Sequence, residues 1–279
     1  LHEDLKQKMV RAIEMISVVI PTLGTREMEL ERLFQSLSDQ TYQNFEVIVV
    51  SQDNHEKVGT LLANYSFPYE HVSLDRKGLS YSRNVGINYT KGKVVTFSDD
   101  DCWYEPNAFL EVHNFFQENS AGIVCYQIYD PEKKEYYKDY PKNAQEKLKF
   151  QDLFRKSSIE IFLNLDVVDK QKVIFDEDFG VGAKYPNGEE NIFLHMMYKE
   201  GYQISYVPKV VVYHGKPSMD TRLNFKAFSS KGPLFKRIFN TPVGFAMLTF
   251  LFIKKFNHLE RPFPFYISSI KEMLQYKKK

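Results

Sequence analysis

The feature that most constrains this chain is an alternation, between residues 16 and 97, of short apolar runs with amphipathic stretches. Ile16-Ser17-Val18-Val19-Ile20 is a buried-strand pattern closed by Pro21. Leu30, Leu33, Phe34 and Leu37 then recur at i, i+3, i+4 and i+7, one face of a helix. FEVIVV (45–50) reads as a second strand, and a polar SQDN turn leads into a helix at about 56–64. A short strand near Val72, a helix from Leu79 to Tyr89 and a strand over Val94–Phe97 follow. Such a β-α-β-α-β order predicts a mainly parallel sheet with helices on both faces. Ligands of such sheets sit beyond the carboxyl ends of the strands. Three polar clusters fall there: Pro21 to Arg26, Ser51 to Asn54, and Asp99 to Asp101.

The second half is less regular. Residues 130–149 are polar and rich in Lys and Tyr, and read as a loop. Ile159–Leu163 predicts a strand, the Gly-rich 180–188 a loop, Glu189–Glu200 a helix, and Ile204–Val212 one or two strands. From about residue 220 the chain turns to basic, aromatic helices. These changes suggest an α/β unit over 1–218, with halves at about 12–105 and 106–218, and a helical extension over 219–279. A net charge of +1 provides no global field for nucleic acid, so no nucleic-acid partner is expected. Cys102 and Cys125 have neither disulfide-framework nor zinc spacing, which suits a reducing compartment. Leu1 to Arg11 is charged and helical in character, without the apolar centre of a secretory signal. A cytoplasmic location is expected.

Four motifs carry chemistry. Asp99-Asp100-Asp101 follows a buried strand directly, and three adjacent carboxylates repel one another unless a cation sits among them. Hard divalent ions take carboxylate and phosphate oxygens, so a metal-diphosphate site is one reading and an acidic turn or cap near Pro106 the other. Arg83, in the helix LSYSRNVG, is a candidate partner for phosphate or for the acidic cluster, while Gly86 would allow close helix-to-strand packing. Glu189 and Glu190 open a helix, where acids also favour the dipole, so a general base competes with simple capping. His214 ends a strand beside Gly215, as a structural residue, a metal ligand or a phosphate contact.

In order, SVVIPTLGT, FEVIVVSQDN, GLSYSRNVGI, VVTFSDDDCWYEP, FDEDFGVGAKYPNGEEN, GYQISYVP and VVVYHG resemble the family-2 glycosyltransferases, in particular the bacterial polysaccharide enzymes. The resemblance covers roughly residues 16–215. It departs at Ser51, where the family usually has Asp, and at Glu190, where Gly-Glu-Asp is usual. It implies a GT-A fold: a Rossmann-like, mixed but mainly parallel sheet flanked by helices, here with a C-terminal helical extension. It implies that Pro21, Thr22 and Arg26 line the nucleotide pocket and that Gln52 or Asp53 meets the base, uracil or thymine. Arg83 would brace the diphosphate side. Asp99 would lie nearer the ribose, with Asp100 in the donor site; Asp101 and His214 would hold a divalent metal, Mn²⁺ or Mg²⁺.

The reaction so implied moves a sugar from a nucleotide-sugar donor to the hydroxyl of a saccharide or lipid-linked saccharide acceptor. Glu190 would remove the hydroxyl proton, and one displacement would invert the anomeric carbon without a covalent nucleophile. A sugar nucleotidyltransferase would need a glycine-rich loop that TLGTR lacks; a non-catalytic saccharide-binding module would lose its acidic positions. PVGFAMLTFLFI (242–253) has no charge and basic flanks, Lys236-Arg237 and Lys254-Lys255, with Lys277-Lys278-Lys279 at the end. Twelve residues cannot span a bilayer, which takes about 20. The segment fits a peripheral contact of residues 236–279 with the inner face of the cell membrane, or a helix packed on the α/β unit or another subunit.

Overall fold

The computed structural model describes residues 15–217 and 223–278; Leu1 to Arg11, the boundary at Ser218 and Lys279 lie outside them. Nine strands form one sheet: β1 (Ile16–Thr22), β2 (Phe45–Ser51), β3 (Tyr69–Ser73), β4 (Val94–Phe97), β5 (Trp103–Tyr104), β6 (Ile123–Asp130), β7 (Glu135–Tyr136), β8 (Ile161–Asn164) and β9 (Ile204–Tyr213). Their order is β3-β2-β1-β4-β8-β6-β9-β5, with β7 paired to β6. β3, β2, β1 and β4 run parallel. β8 is antiparallel to both β4 and β6, and β9 returns parallel to β6.

Every residue of β1 and β2 is buried, as expected for parallel strands covered on both faces. Alternation divides them between two cores: Val18, Ile20, Val47 and Val49 face one, and Val19, Ile48 and Val50 the other. On the first face α1 (Glu27–Ser38) seats Leu30, Leu33, Phe34 and Leu37. α2 (His55–Leu62) and α4 (Ala108–Glu118) bury their apolar faces in the same core. α3 (Leu79–Tyr89) and α5 (Glu189–Lys199) cover the opposite face. Gly86 permits the approach of α3: a Cβ there would stand 2.5 Å from Val19 Cγ1 and 3.0 Å from Val50 Cγ2.

Two boundaries differ from the sequence reading. Ile159 belongs to a 3₁₀ turn (Ser158–Glu160), so the strand begins only at Ile161. Residues 204–213 form one strand whose register against β6 shifts near Gln127. β7 turns the start of the 130–149 excursion into a hairpin with β6.

The C-terminal segment contains α6 (Phe225–Ser229), α7 (Lys231–Ile238), α8 (Thr241–Lys255) and α9 (Pro262–Gln275). It packs on the α/β unit. Leu234, Ile238 and Tyr276 join Phe179, Tyr185 and Ile192 in one apolar cluster, and Arg237 Nε pairs with Asp176 at 2.6 Å. Among the described residues no helix is long and apolar enough to cross a membrane.

Candidate active site

Strand register builds the site. β1 and β2 end side by side, Thr22 opposite Ser51, and Gln52 N–H donates to the Thr22 carbonyl at 2.9 Å. The loop after β1 needs Gly24: φ is +65°, and a Cβ would meet Val58 and Asn54 within 2.9 Å. Thr22 Oγ1 accepts the Gly24 N–H at 2.9 Å and donates to Asp100 at 2.7 Å, tying this loop to the acidic turn after β4. The pairing of Trp103 on β5 with Tyr213 on β9 then carries His214 to Asp101. His214 Nε2 lies 3.1 Å from Asp101 Oδ1, and its Nδ1 2.7 Å from the Gly215 carbonyl.

The result is a cleft of about 350 Å³. Of the residues singled out in the sequence, Pro21, Thr22, Arg26, Gln52, Asp99, Asp100, Asp101 and His214 line it. Lys77, Gly78, Val181 and Gly182 line it too; Lys77 had no place in the sequence reading, and the other three stood in its motifs without an assigned role. Gly78 had a usable signal, a glycine just before a predicted helix. Its φ is +147°, and its N–H donates to Gln52 Oε1 at 2.6 Å, leaving the Gln52 amide NH₂ for a ligand. Asp53 lies outside the wall and is paired to Lys77 Nζ at 2.5 Å.

Of the two partners expected for Arg83, phosphate or the acidic cluster, the structure shows the acidic cluster. The arginine lies beneath the cleft, fully buried, and donates to Asp99 and Ser158 at 2.8 Å each and to Glu189 at 3.1 Å. Two carboxylates and a hydroxyl occupy its terminal nitrogens, so it braces the floor on which Asp99 stands. Glu189 is the inward member of the pair that opens α5. Glu190 does not line the cleft; it sits next to Glu189, at the end of the Asp99–Arg83–Glu189 chain. Burial and the neighbouring Glu189 charge push its carboxyl up to about 8.

Electrostatics separate the three adjacent acids. Burial raises Asp100 above the ordinary carboxylate range, although Thr22 and Arg26 oppose it. Burial would also raise Asp101, but the His214 hydrogen bond and charge with Arg26 outweigh it, and Asp101 stays below that range. For His214, burial works against the charged ring; Asp101 prevails and raises it. The Arg26 guanidinium, half-exposed, pairs with Asp100 at 3.1 Å and also with Asp101.

The donor set suits a divalent cation. Asp99, Asp101 and His214 each offer one ligand atom, all within 4.8 Å of one another. Two carboxylates and an imidazole match Mn²⁺, and the carboxylates match Mg²⁺. Arg26 already supplies positive charge to these acids, as a cation would.

The sheet order, with its cleft at the carboxyl ends of the parallel strands, is that of the GT-A class of α/β fold. The chain belongs to glycosyl transferase family 2, whose profile matches residues 17–177. A Haemophilus influenzae protein described as an uncharacterized glycosyltransferase is 35% identical over 106 residues, 38% of this chain and 35% of that protein. Glycosyltransferase GlyA of Streptococcus pneumoniae is 30% identical over 118 residues, 41% of this chain and 17% of its own. The chain thus spans well under half the length of these relatives. Among solved structures, S. aureus TarS 1-349 superposes with a TM-score of 0.67 at 17% identity, covering 94% of this chain and 80% of that one. A complex of the same protein with UDP-GlcNAc scores 0.67 at 16% identity.

Proposed function

We propose that this protein is an inverting glycosyltransferase that moves a sugar from a UDP- or dTDP-sugar to a hydroxyl of a growing, lipid-linked saccharide. The observation that carries this reading is the convergence of Asp99, Asp101 and His214 in one cleft with Gln52. Gln52 directs its amide NH₂ to a carbonyl of the pyrimidine, its oxygen being taken by Gly78. The TarS complex with UDP-GlcNAc agrees with a uridine donor. Asp99, Asp101 and His214 would hold Mn²⁺ or Mg²⁺. When bound, the cation would act as a Lewis acid toward the departing diphosphate. Arg26, now paired with Asp100 and Asp101, would face the phosphates, for which its forked guanidinium is suited.

Glu190 accepts the proton of the acceptor hydroxyl. Its raised affinity for protons suits a base working near neutral pH, where proton transfer assists by about 10²–10⁴-fold. Residues 1–218 hold the donor site and the base, and the extension over 219–279 supports the base from behind through Leu234 against Gly188.

Calorimetric titration of UDP with and without Mn²⁺ tests the reading. The protein binds UDP more tightly with the metal, and Asp101→Ala removes that gain while remaining folded. Equal affinities with and without metal would remove the basis for the assignment.

A further inference from the structure

α8 is apolar on both sides. Gly244, Leu248 and Phe252 face inward, four residues apart, and pack with α7 and α9. A surface helix normally turns charged or polar residues outward. Here the outward stripe is Val243, Phe250 and Ile253 at i, i+7 and i+10, the last two 63% and 69% exposed. α9 repeats the arrangement: Phe265, Ser269 and Met273 face inward, and Phe263 (61% exposed), Ile267 and Leu274 face outward. The stripes join where the helices turn, through the rings of Phe256 and Phe263, 5.8 Å apart. A contiguous exposed apolar ridge marks a surface that something covers.

Charge identifies the occupant. Residues 223–279 contain eleven Lys and Arg against Glu260 and Glu272, a net +9 in a chain of net +1, which leaves −8 on the first 222 residues. We propose that the outer face of α8 and α9 docks on an anionic lipid bilayer, with Phe250, Ile253, Phe263 and Ile267 in the headgroup boundary and Lys254 and Lys271 against lipid phosphates. An anionic surface attracts this end of the molecule and repels the other, so the field orients the protein as well as binding it. A second copy fits poorly, because a two-fold interface on this ridge would set Lys254, Lys271 and their exposed basic neighbours against the same cations. The helices lie in the plane of the interface.

The structure corrects one part of the sequence expectation. Lys236 Nζ donates to the carbonyls of Met273 (2.9 Å) and Tyr276 (2.6 Å), and Arg237 pairs with Asp176, so this basic flank points inward. The lipid-facing cations are the exposed Lys254, Arg261, Lys271, Lys277 and Lys278. Docking does not depend on the transfer reading. It would, however, tie the bilayer to the segment carrying Glu190, because Lys231 of α7 donates to Asn187 at 3.0 Å.

Co-sedimentation of the full chain with vesicles tests the proposal. The protein pellets with phosphatidylcholine vesicles containing phosphatidylglycerol, and binds pure phosphatidylcholine more than tenfold more weakly. Binding also weakens at about 1 M salt, where the Debye length is about 3 Å. Phe250→Ser with Ile253→Ser and Phe263→Ser weakens binding more than tenfold while the chain stays folded by circular dichroism, since all three side chains are more than half exposed. Lys254→Gln with Lys271→Gln reduces the preference for anionic lipid but leaves part of it, because Arg261, Lys277 and Lys278 remain. A chain that stays in the supernatant with anionic vesicles at low salt overturns the proposal, as does apolar-variant binding equal to the parent's. So does a stable dimer in solution that the same three serines convert to monomer, since that assigns the ridge to a second copy.

Discussion

Arg83→Met is expected to destabilise the protein severely, and the size follows from the surroundings of the guanidinium. Arg83 is fully buried and bonds Asp99, Ser158 and Glu189. Methionine fills most of the volume, so the cavity contribution is small. The charge contribution is not: the Glu189 side chain is only 8% exposed and keeps Glu190 as its neighbour. Asp99, 34% exposed, is screened by water and adds little. Removing one member of a buried ion pair costs about 3–5 kcal/mol, most of it from the charge left behind. At about 2–4 °C per kcal/mol for a chain of this size, the melting temperature falls by about 6–20 °C. Urea unfolding at pH 7, followed by circular dichroism, measures the loss. One further result is required. Adding Glu189→Gln removes the orphaned charge and recovers at least about 2 kcal/mol. A loss under about 1 kcal/mol, or a double variant no more stable than the single, would refute the buried Arg83–Glu189 pair. Arg83 would then be available to a diphosphate.

Glu190→Gln lowers transfer by about 10²-fold or more and leaves calorimetric UDP affinity intact, whereas Glu189→Gln acts mainly on the melting temperature. Because Glu190 is pushed up to about 8 and must be ionised to act, kcat/KM in the parent rises with pH, about tenfold per unit, and levels near there; a profile already flat from pH 6 would contradict this. The same raised affinity favours the protonated carboxyl in the fold. Its stabilising contribution is therefore present at low pH and is lost as pH rises through about 8, a loss that urea titrations of Glu190→Gln should lack. Gly86→Ala forces a methyl group against Val19 and Val50 and costs about 1–3 kcal/mol in thermal unfolding.

The first half of the fold is legible because its signals are local. β1, β2 and β4 are apolar runs, and α1 and α3 carry helical spacing, so their limits match the sequence reading to within a few residues. The last parts of the sheet are less so. β6, an apolar run, and α4, with Phe109, Val112 and Phe116 on its buried face, carried local signals yet had no assignment, and Ile159 was expected in a strand. There, polar residues such as Gln127 and Glu160 are buried within networks: Gln127 donates to the Tyr206 hydroxyl at 2.7 Å, and Glu160 accepts from Tyr140 at 2.6 Å. Apolar periodicity carries no trace of polar residues that are buried with partners.

Eight of the singled-out residues reach the cleft wall because each ends a strand or follows one closely, and a parallel sheet gathers those ends on one edge. To that extent the sequence alone determined the candidate site, since the alternation of apolar runs and polar clusters leaves few other ways to bury the strands. Which charges meet was decided by tertiary structure. His214 reaches Asp101 across 113 positions through the β5–β9 register, Arg26 enters the acidic cluster, and Arg83 turns inward to Glu189. Lys236 and Arg237 likewise close on the body of the protein while Lys254 and Lys271 remain outside. The physical reason is range: side-chain periodicity is set by backbone geometry over one or two turns, whereas an ion pair depends on the packing of distant elements, which a run of residues does not encode in its own spacing.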